Sequence, residues 1–172
     1  EEEFLRHAVA ELTALAPEAG EGERLAQART GLRLEILTPA KLPQGAKGYF
    51  VQGHDLRIGQ VITNLIENAR SFVPEHTGRI VISLERVGKF NIVTVKDNGP
   101  GIRADNIDRI FERFYTDRPA SEAFGQNSGL GLSISRQIVE AHGGTLTAEN
   151  ILGVKPGDIK GACFTAAFPA EA

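Results

Sequence analysis

The chain contains no methionine, even at position 1, and one cysteine, Cys163. Without an initiator residue it reads as a piece of a longer or processed protein, which leaves open membrane segments elsewhere in the parent. A lone cysteine excludes an internal disulfide and fits a reducing compartment; among apolar neighbours it reads as a small buried hydrophobe. No apolar run approaches the roughly 18–20 residues that span a bilayer, and nothing at the start resembles a secretory leader. A basic run with interleaved aromatics is also missing, and a net charge of −3 gives no general attraction for nucleic acid. A polyanionic ligand would therefore need a local site built from backbone N–H groups, a metal and a few cations. There are no internal repeats and no low-complexity tracts.

What is present suffices for one core. With 172 residues, 41% of them hydrophobic, the chain reads as a single domain over 1–172, its core at about 33–169 and an N-terminal helix and connection over 1–31. Glu1 to Ala16 carries a helical stripe of Phe4, Leu5, Ala8, Val9, Leu12 and Leu15, broken by Pro17 to Gly22. Leu32 to Leu37 alternates like a strand, Pro39 to Gly48 is a connection, and a short strand is expected near Tyr49 to Val51. Asp55 is expected to cap a long helix whose stripe, Val61, Ile62, Leu65, Ile66, Ala69, Phe72 and Val73, would pack on a sheet and stop at Pro74. Strands at about Arg79 to Val87 and Phe90 to Lys96 flank a Gly88-Lys89 hairpin turn. A short helix ending near Phe111 comes next, followed by an aperiodic loop over Thr116 to Ser128. A helix over about Leu130 to Ala141 stops at Gly143-Gly144, and strands over Thr145 to Asn150 and Ala162 to Phe168 close the chain. Hairpins mixed with amphipathic helices predict an α+β fold, a two-layer sandwich with helices on one face of a mixed sheet.

Three motifs carry chemistry. On the long helix Gln60, Asn64, Asn68 and Ser71 share one polar, uncharged face. A carboxamide oxygen is a hard ligand suited to Mg²⁺, which makes Asn68 the candidate metal ligand; Glu67 beside it could act through a water. Asp97 ends a strand and enters Asn98-Gly99-Pro100-Gly101-Ile102, where two glycines let backbone approach a flat ligand while the carboxylate accepts an adenine amine. Gly129-Leu130-Gly131-Leu132 opens a helix, where free N–H groups and the dipole favour phosphate, directly after a loop placed to act as a lid. Each motif alone is weak, and an Asp-Asn-Gly run is by itself simply a good turn. Their order is what describes an ATP pocket.

These residues resemble the catalytic and ATP-binding domain of sensor histidine kinases, within the wider ATPase superfamily shared with gyrase, Hsp90 and MutL. The resemblance spans about Arg33 to Pro169. Asn64-Leu65-Ile66-Glu67-Asn68-Ala69 matches the asparagine box, Asp97 to Ile102 the first glycine box, Ile110-Phe111-Glu112-Arg113-Phe114-Tyr115 the phenylalanine box, and Gly129 to Leu132 the second glycine box. Ile110 to Asn150 looks most like envelope sensor kinases of the ChvG type. The resemblance implies a Bergerat-type ATP-binding fold, ATP bound with Mg²⁺, and transfer of the γ-phosphate to a histidine on a separate dimerisation domain. It implies nucleotide contacts from Asn64, Asn68, Ser71, Phe72, Asp97, Gly99, Gly101, Ile102, Gly129, Leu130 and Gly131, and a catalytic part for Asn64. A response regulator downstream, a monomeric isolated domain and a place on the cytoplasmic side of an inner-membrane sensor follow from the same resemblance.

The chain also departs from the pattern. Ser71 and Thr116 stand where the family often has cations, so Arg113 and Arg118 are expected to neutralise phosphate, with Arg70 a further neighbour; Asn127 and Ala162 also differ from common family residues. His7, His54, His76 and His142 lie outside any acceptor motif, so the acceptor histidine is expected on another domain. Phe111, Phe114 and Tyr115 are candidates either for the surface that docks that domain or for core. Two rival readings remain. One is an ATP-hydrolysing superfamily member, which Asn64 disfavours because an amide cannot act as general base where those relatives carry a glutamate. The other is a catalytically silent nucleotide-sensing or docking module of the same fold.

Overall fold

The computed structural model describes residues 32–38, 48–115, 129–155 and 157–171. The expected N-terminal helix, most of the connection before Gly48, and the segment holding Thr116, Arg118 and Asn127 lie outside the described residues. The elements run β1 (Arg33–Leu37), α1 (Asp55–Phe72), β2 (Arg79–Val87), β3 (Phe90–Asp97), α2 (Gly131–Ala141), β4 (Thr145–Leu152) and β5 (Ile159–Pro169). They build a five-stranded sheet in the order β1-β2-β3-β5-β4. β1 is parallel to β2, reached through α1, and every other pair is antiparallel. β3 and β4 point the same way and are joined through α2, with β5 returning to fill the gap between them.

Period-two alternation decides which residues face the helices. One row across the sheet reads Ile82, Val95, Phe164 and Ala148, the next Leu84, Val93, Ala166 and Leu146. All of these except Leu84 pack with Val61, Leu65 and Ala69 of α1 and Ile138 and Val139 of α2 into one core. Cys163 belongs to the alternate set and is nonetheless 4% exposed; burial pushes its thiol up, as expected of an inert small hydrophobe.

Element ends follow local chemistry. α1 stops when Val73 turns extended ahead of Pro74, its N–H still bonded to the Ala69 carbonyl. α2 ends in a Schellman arrangement: Gly143 N–H donates to the Glu140 carbonyl and Gly144 N–H to that of Val139, with Gly143 at φ 71.

Four sequence expectations are corrected. Asp55 is the first helical residue of α1, not its cap; His54 occupies the cap without a side-chain hydrogen bond, and the Asp55 carboxylate accepts from Leu56 N–H. Tyr49 to Val51 forms no strand, because the Phe50 carbonyl is taken by the Asn91 side chain and by Glu171 N–H instead of a ladder. The stretch before Phe111 is a series of turns whose i→i+3 bonds, such as Asn106 to Arg103 and Arg109 to Asn106, never settle into a helix. Phe72 leaves the stripe of α1 and is 36% exposed; it is the last residue of the helix, and its backbone carbonyl lies against Gly99.

Candidate functional site

β3 and β4 end, and β5 begins, at one edge of the sheet, and Asp97 is the last residue of β3 on the helix-facing side. It is 6% exposed, and its Oδ1 accepts Gly99 N–H at 2.8 Å and Ala162 N–H at 3.3 Å. Oδ2 has no partner among the described residues. Loss of water raises the carboxyl pKa above its ordinary value, while the two backbone donors pull it back. The result is a fixed acceptor with one oxygen committed to the fold and one left over.

The loop after Asp97 is anchored on both sides. Asn98 exchanges bonds with the start of β2: its Oδ1 accepts Arg79 N–H at 2.6 Å, its Nδ2 donates to the Thr77 carbonyl at 2.8 Å, and its own N–H donates to the Arg79 carbonyl. At the far end Asn150 of β4 grips Ile102 through both backbone groups. Glycine is required where this loop touches its supports. A Cβ on Gly161, at φ 152, would lie 1.8 Å from the Asp97 carbonyl oxygen, and one on Gly101, at φ 76, would lie 2.3 Å from Ile159.

The two helices meet beside this loop. Asn64 is half-buried, and its Nδ2 donates to the Gly131 carbonyl at 3.2 Å and to Ser135 Oγ at 3.1 Å, tying α1 to the first turn of α2. One turn on, the Asn68 carboxamide is hydrogen-bonded to no described residue. Glu67 is paired with Arg70 at 3.2 Å. Ser71 Oγ donates back to the Glu67 and Asn68 carbonyls, the local bonding available to a helical serine near a helix end.

The first intrahelical bond of α2 runs from Ile134 N–H to the Leu130 carbonyl, so the N–H groups of Gly131, Leu132 and Ser133 precede the ladder. No acid lies in that first turn, and Leu130 supplies no side-chain cap. Gly129, at φ 65, sits against the Phe114 and Tyr115 backbone, and its carbonyl accepts Phe114 N–H at 3.1 Å. Phe114 and Gly129, on either side of the segment 116–128, are thus bonded to each other. Phe111 packs on the core beneath the Arg136 guanidinium, 5.1 Å from its ring. Phe114 is 73% exposed at φ 64, and Tyr115 is half-buried under Arg109. Arg113 is exposed on this rim.

Asp97, Gly99, Gly101 and Ile102 thus share one loop that meets the C-terminal end of α1 at Phe72, while Asn64, Leu130 and Gly131 share the α1–α2 junction. Sequence reasoning gave no site role to Asn150, Gly161 or His142, the last weighed only as a phosphoacceptor and set aside. The signal for Asn150 was an amide on the inward row that otherwise reads Leu146, Ala148; for Gly161 it was a glycine inside a strand. His142 Nε2 accepts the His54 N–H at 3.0 Å, and its Nδ1 lies 2.7 Å from the Ile138 carbonyl, which assigns the proton to Nδ1. It supplies the start of α1 with the acceptor that the His54 side chain does not.

Known proteins are similar to this chain in sequence and in fold. A family profile described as histidine kinase-, DNA gyrase B- and HSP90-like ATPase matches residues 53–172. The sensor protein ChvG of Agrobacterium fabrum is 70% identical over 127 residues, covering 73% of this chain, and the match spans only 21% of that protein's length. Among solved structures, the nucleotide-free catalytic domain of histidine kinase ThkA aligns with a TM-score of 0.69 at 26% identity, covering 97% of this chain and 93% of that one. ThkA in complex with the response regulator TrrA aligns at 0.65 and 25% identity, covering 97% and 40%. Full-length ShkA in complex with AMPPNP gives 0.65 at 25% identity, covering 99% and 30%.

Proposed function

The chain belongs to the histidine kinase-, DNA gyrase B- and HSP90-like ATPase family, and from that premise we propose that it binds Mg²⁺-ATP and presents the γ-phosphate to a histidine on a separate dimerisation domain of a sensor kinase. The observation that carries this reading is Asp97, a buried carboxylate with one oxygen locked by Gly99 and Ala162 and the other uncommitted. The adenine amine donates to Oδ2, and the backbone of Gly99 and Gly101 flanks the ring, with Ile102 and Phe72 as apolar neighbours. The open N–H groups at the start of α2, with Gly129 and Leu130, cradle the phosphates.

Asn68 fits Mg²⁺ as a single hard oxygen donor that no described residue occupies. Among the described residues no three His, Cys, Asp or Glu side chains cluster as a metal cage, so the nucleotide's phosphates and water would complete the shell. When bound, Mg²⁺ neutralises phosphate charge as it builds up in transfer. Arg113 and Arg118 are assigned to the same task, since phosphoryl transfer depends on electrostatic stabilisation in a closed site. Asn64 orients α2 through its amide nitrogen and offers no carboxylate to activate water, which favours transfer over hydrolysis.

The complex of ThkA with the response regulator TrrA supports a regulator as the downstream partner, and the similarity to the sensor protein ChvG supports a sensor as the parent protein, in which we assign this chain to the cytoplasmic face of an inner-membrane sensor. No helix among the described residues is long and apolar enough to cross a membrane. The isolated chain is assigned as a monomer, with Phe114 as the docking contact for the dimerisation domain.

The test is thermal unfolding with and without a non-hydrolysable ATP analogue and Mg²⁺, on the native chain and on Asp97→Ala. Ligand linkage at a hundredfold excess over Kd stabilises by about 2.7 kcal/mol, a shift of several degrees. That shift should vanish in Asp97→Ala; no shift at millimolar ligand in the native chain would leave a silent docking module as the better reading.

A further inference from the structure

Asn150 continues the helix-facing row of β4 after Leu146 and Ala148 and reaches across to the backbone of Ile102. Its Oδ1 accepts Ile102 N–H and its Nδ2 donates to the Ile102 carbonyl, each at 2.6 Å, so one side chain satisfies both polar groups of one residue. Gly101 lies against the same amide: a Cβ there would stand 2.7 Å from Asn150 Oδ1. Asn98 fixes the near end of the loop to β2, and Ala162 fixes the Asp97 carboxylate to β5. The far end of the loop is tied to the sheet through Asn150.

Resting on the nucleotide reading above, we infer that Asn150 is a positioning residue for adenine recognition, holding Gly99 to Ile102 in the shape that sets the base against Asp97. The chemistry is specific to asparagine at this reach. Aspartate keeps the acceptor but sets a carboxylate against the Ile102 carbonyl, alanine loses both bonds, and glutamine is one methylene too long. The side chain touches the loop and acts on nucleotide only through it.

The experiment compares the native chain with Asn150→Ala, Asn150→Asp, Asp97→Ala and Leu146→Ala, the last a core truncation on the same strand. Affinities for Mg²⁺-bound non-hydrolysable ATP and GTP analogues are measured well below each unfolding temperature, together with amide exchange at Ile102. Asn150→Ala should bind the ATP analogue about tenfold more weakly, the scale of one or two net hydrogen bonds. Its preference for ATP over GTP should shrink, because guanine carries a carbonyl where adenine carries the amine, and the Ile102 amide should exchange faster. Asn150→Asp should weaken binding in the same sense, and it serves alone if the alanine variant does not fold. Leu146→Ala should lose as much thermal stability while keeping affinity and base preference. Affinity within twofold of native in the Asn150 variants, or an equal loss in Leu146→Ala, would overturn the assignment while Asp97→Ala still reports on the pocket. A native chain that binds no nucleotide would instead remove the nucleotide reading and this assignment with it.

Discussion

At the scale of single residues, Asp97 sets a requirement of the proposed function against one of folding. Burial raises its carboxyl pKa, so the native state holds this proton more tightly than the unfolded chain, whose value is about 3.9. The contribution to stability is therefore present below the unfolded value and is lost as pH rises through the folded one, leaving a desolvated carboxylate at neutral pH. Asp97→Asn keeps an Oδ1 acceptor for Gly99 and Ala162 and removes the charge. At neutral pH it should be at least as stable as the native chain in urea unfolding, with the advantage disappearing towards pH 3. Its affinity for ATP should nonetheless fall at least about tenfold, since an amide donor would then face the adenine amine. An Asn variant that unfolds more readily at neutral pH than at acid pH, relative to native, would contradict this account of the carboxylate.

At the scale of elements, the α1–α2 junction depends on one amide. Asn64 Nδ2 supplies the Gly131 carbonyl and the fully buried Ser135 hydroxyl, so Asn64→Ala strands two polar groups where the helices meet. The expected cost is about 1–3 kcal/mol in nucleotide-free denaturant unfolding. Because the loss arises at the start of α2, it should be accompanied by weaker binding of the triphosphate than of adenosine. A variant with native stability would show that helix packing on the sheet, and not this bridge, sets the angle between the helices. His142 does related work from the other end of α2, supplying an acceptor to the N-terminus of α1. The cost of a carboxamide on the polar face of α1 is thus offset by contacts that no helix propensity records.

At the scale of the whole molecule, the chain spans about a fifth of the ChvG protein it matches, and the reaction proposed for it needs a surface it does not itself supply. Turnover should be negligible for the chain alone and should appear when a dimerisation domain carrying an acceptor histidine is added in trans, read as acid-labile, base-stable phosphate on that domain. Phe114→Ala, at a 73% exposed position, should slow that transfer while leaving nucleotide affinity unchanged. Phosphate on the added domain at the same rate without this chain, or rapid ATP hydrolysis by the chain alone, would exclude the proposed division of labour.

Much of this was legible in the amino-acid sequence. The order and type of the described elements, the Gly88-Lys89 turn and the Gly143-Gly144 stop follow from periodicity, turn chemistry and breakers, all of which act within a few residues. Asn68, Asp97 and the two glycine motifs could be singled out for the same reason, because each is a short run whose backbone conformation is encoded locally. The strand expected at Tyr49 to Val51 and the helix expected before Phe111 failed because both stretches are weakly periodic and their hydrogen bonds go elsewhere. Tertiary structure alone decided which side chains hold the site together. Asn150 reaches Ile102 across 48 positions, Ala162 reaches Asp97 across 65, Asn64 reaches Ser135 across 71, and His142 reaches His54 across 88. Such bonds leave no local periodicity to read, since a side chain's partner is set by which strands the sheet makes neighbours. The sequence by itself thus determined the parts of the candidate site, and the strand order β1-β2-β3-β5-β4 determined how they are held.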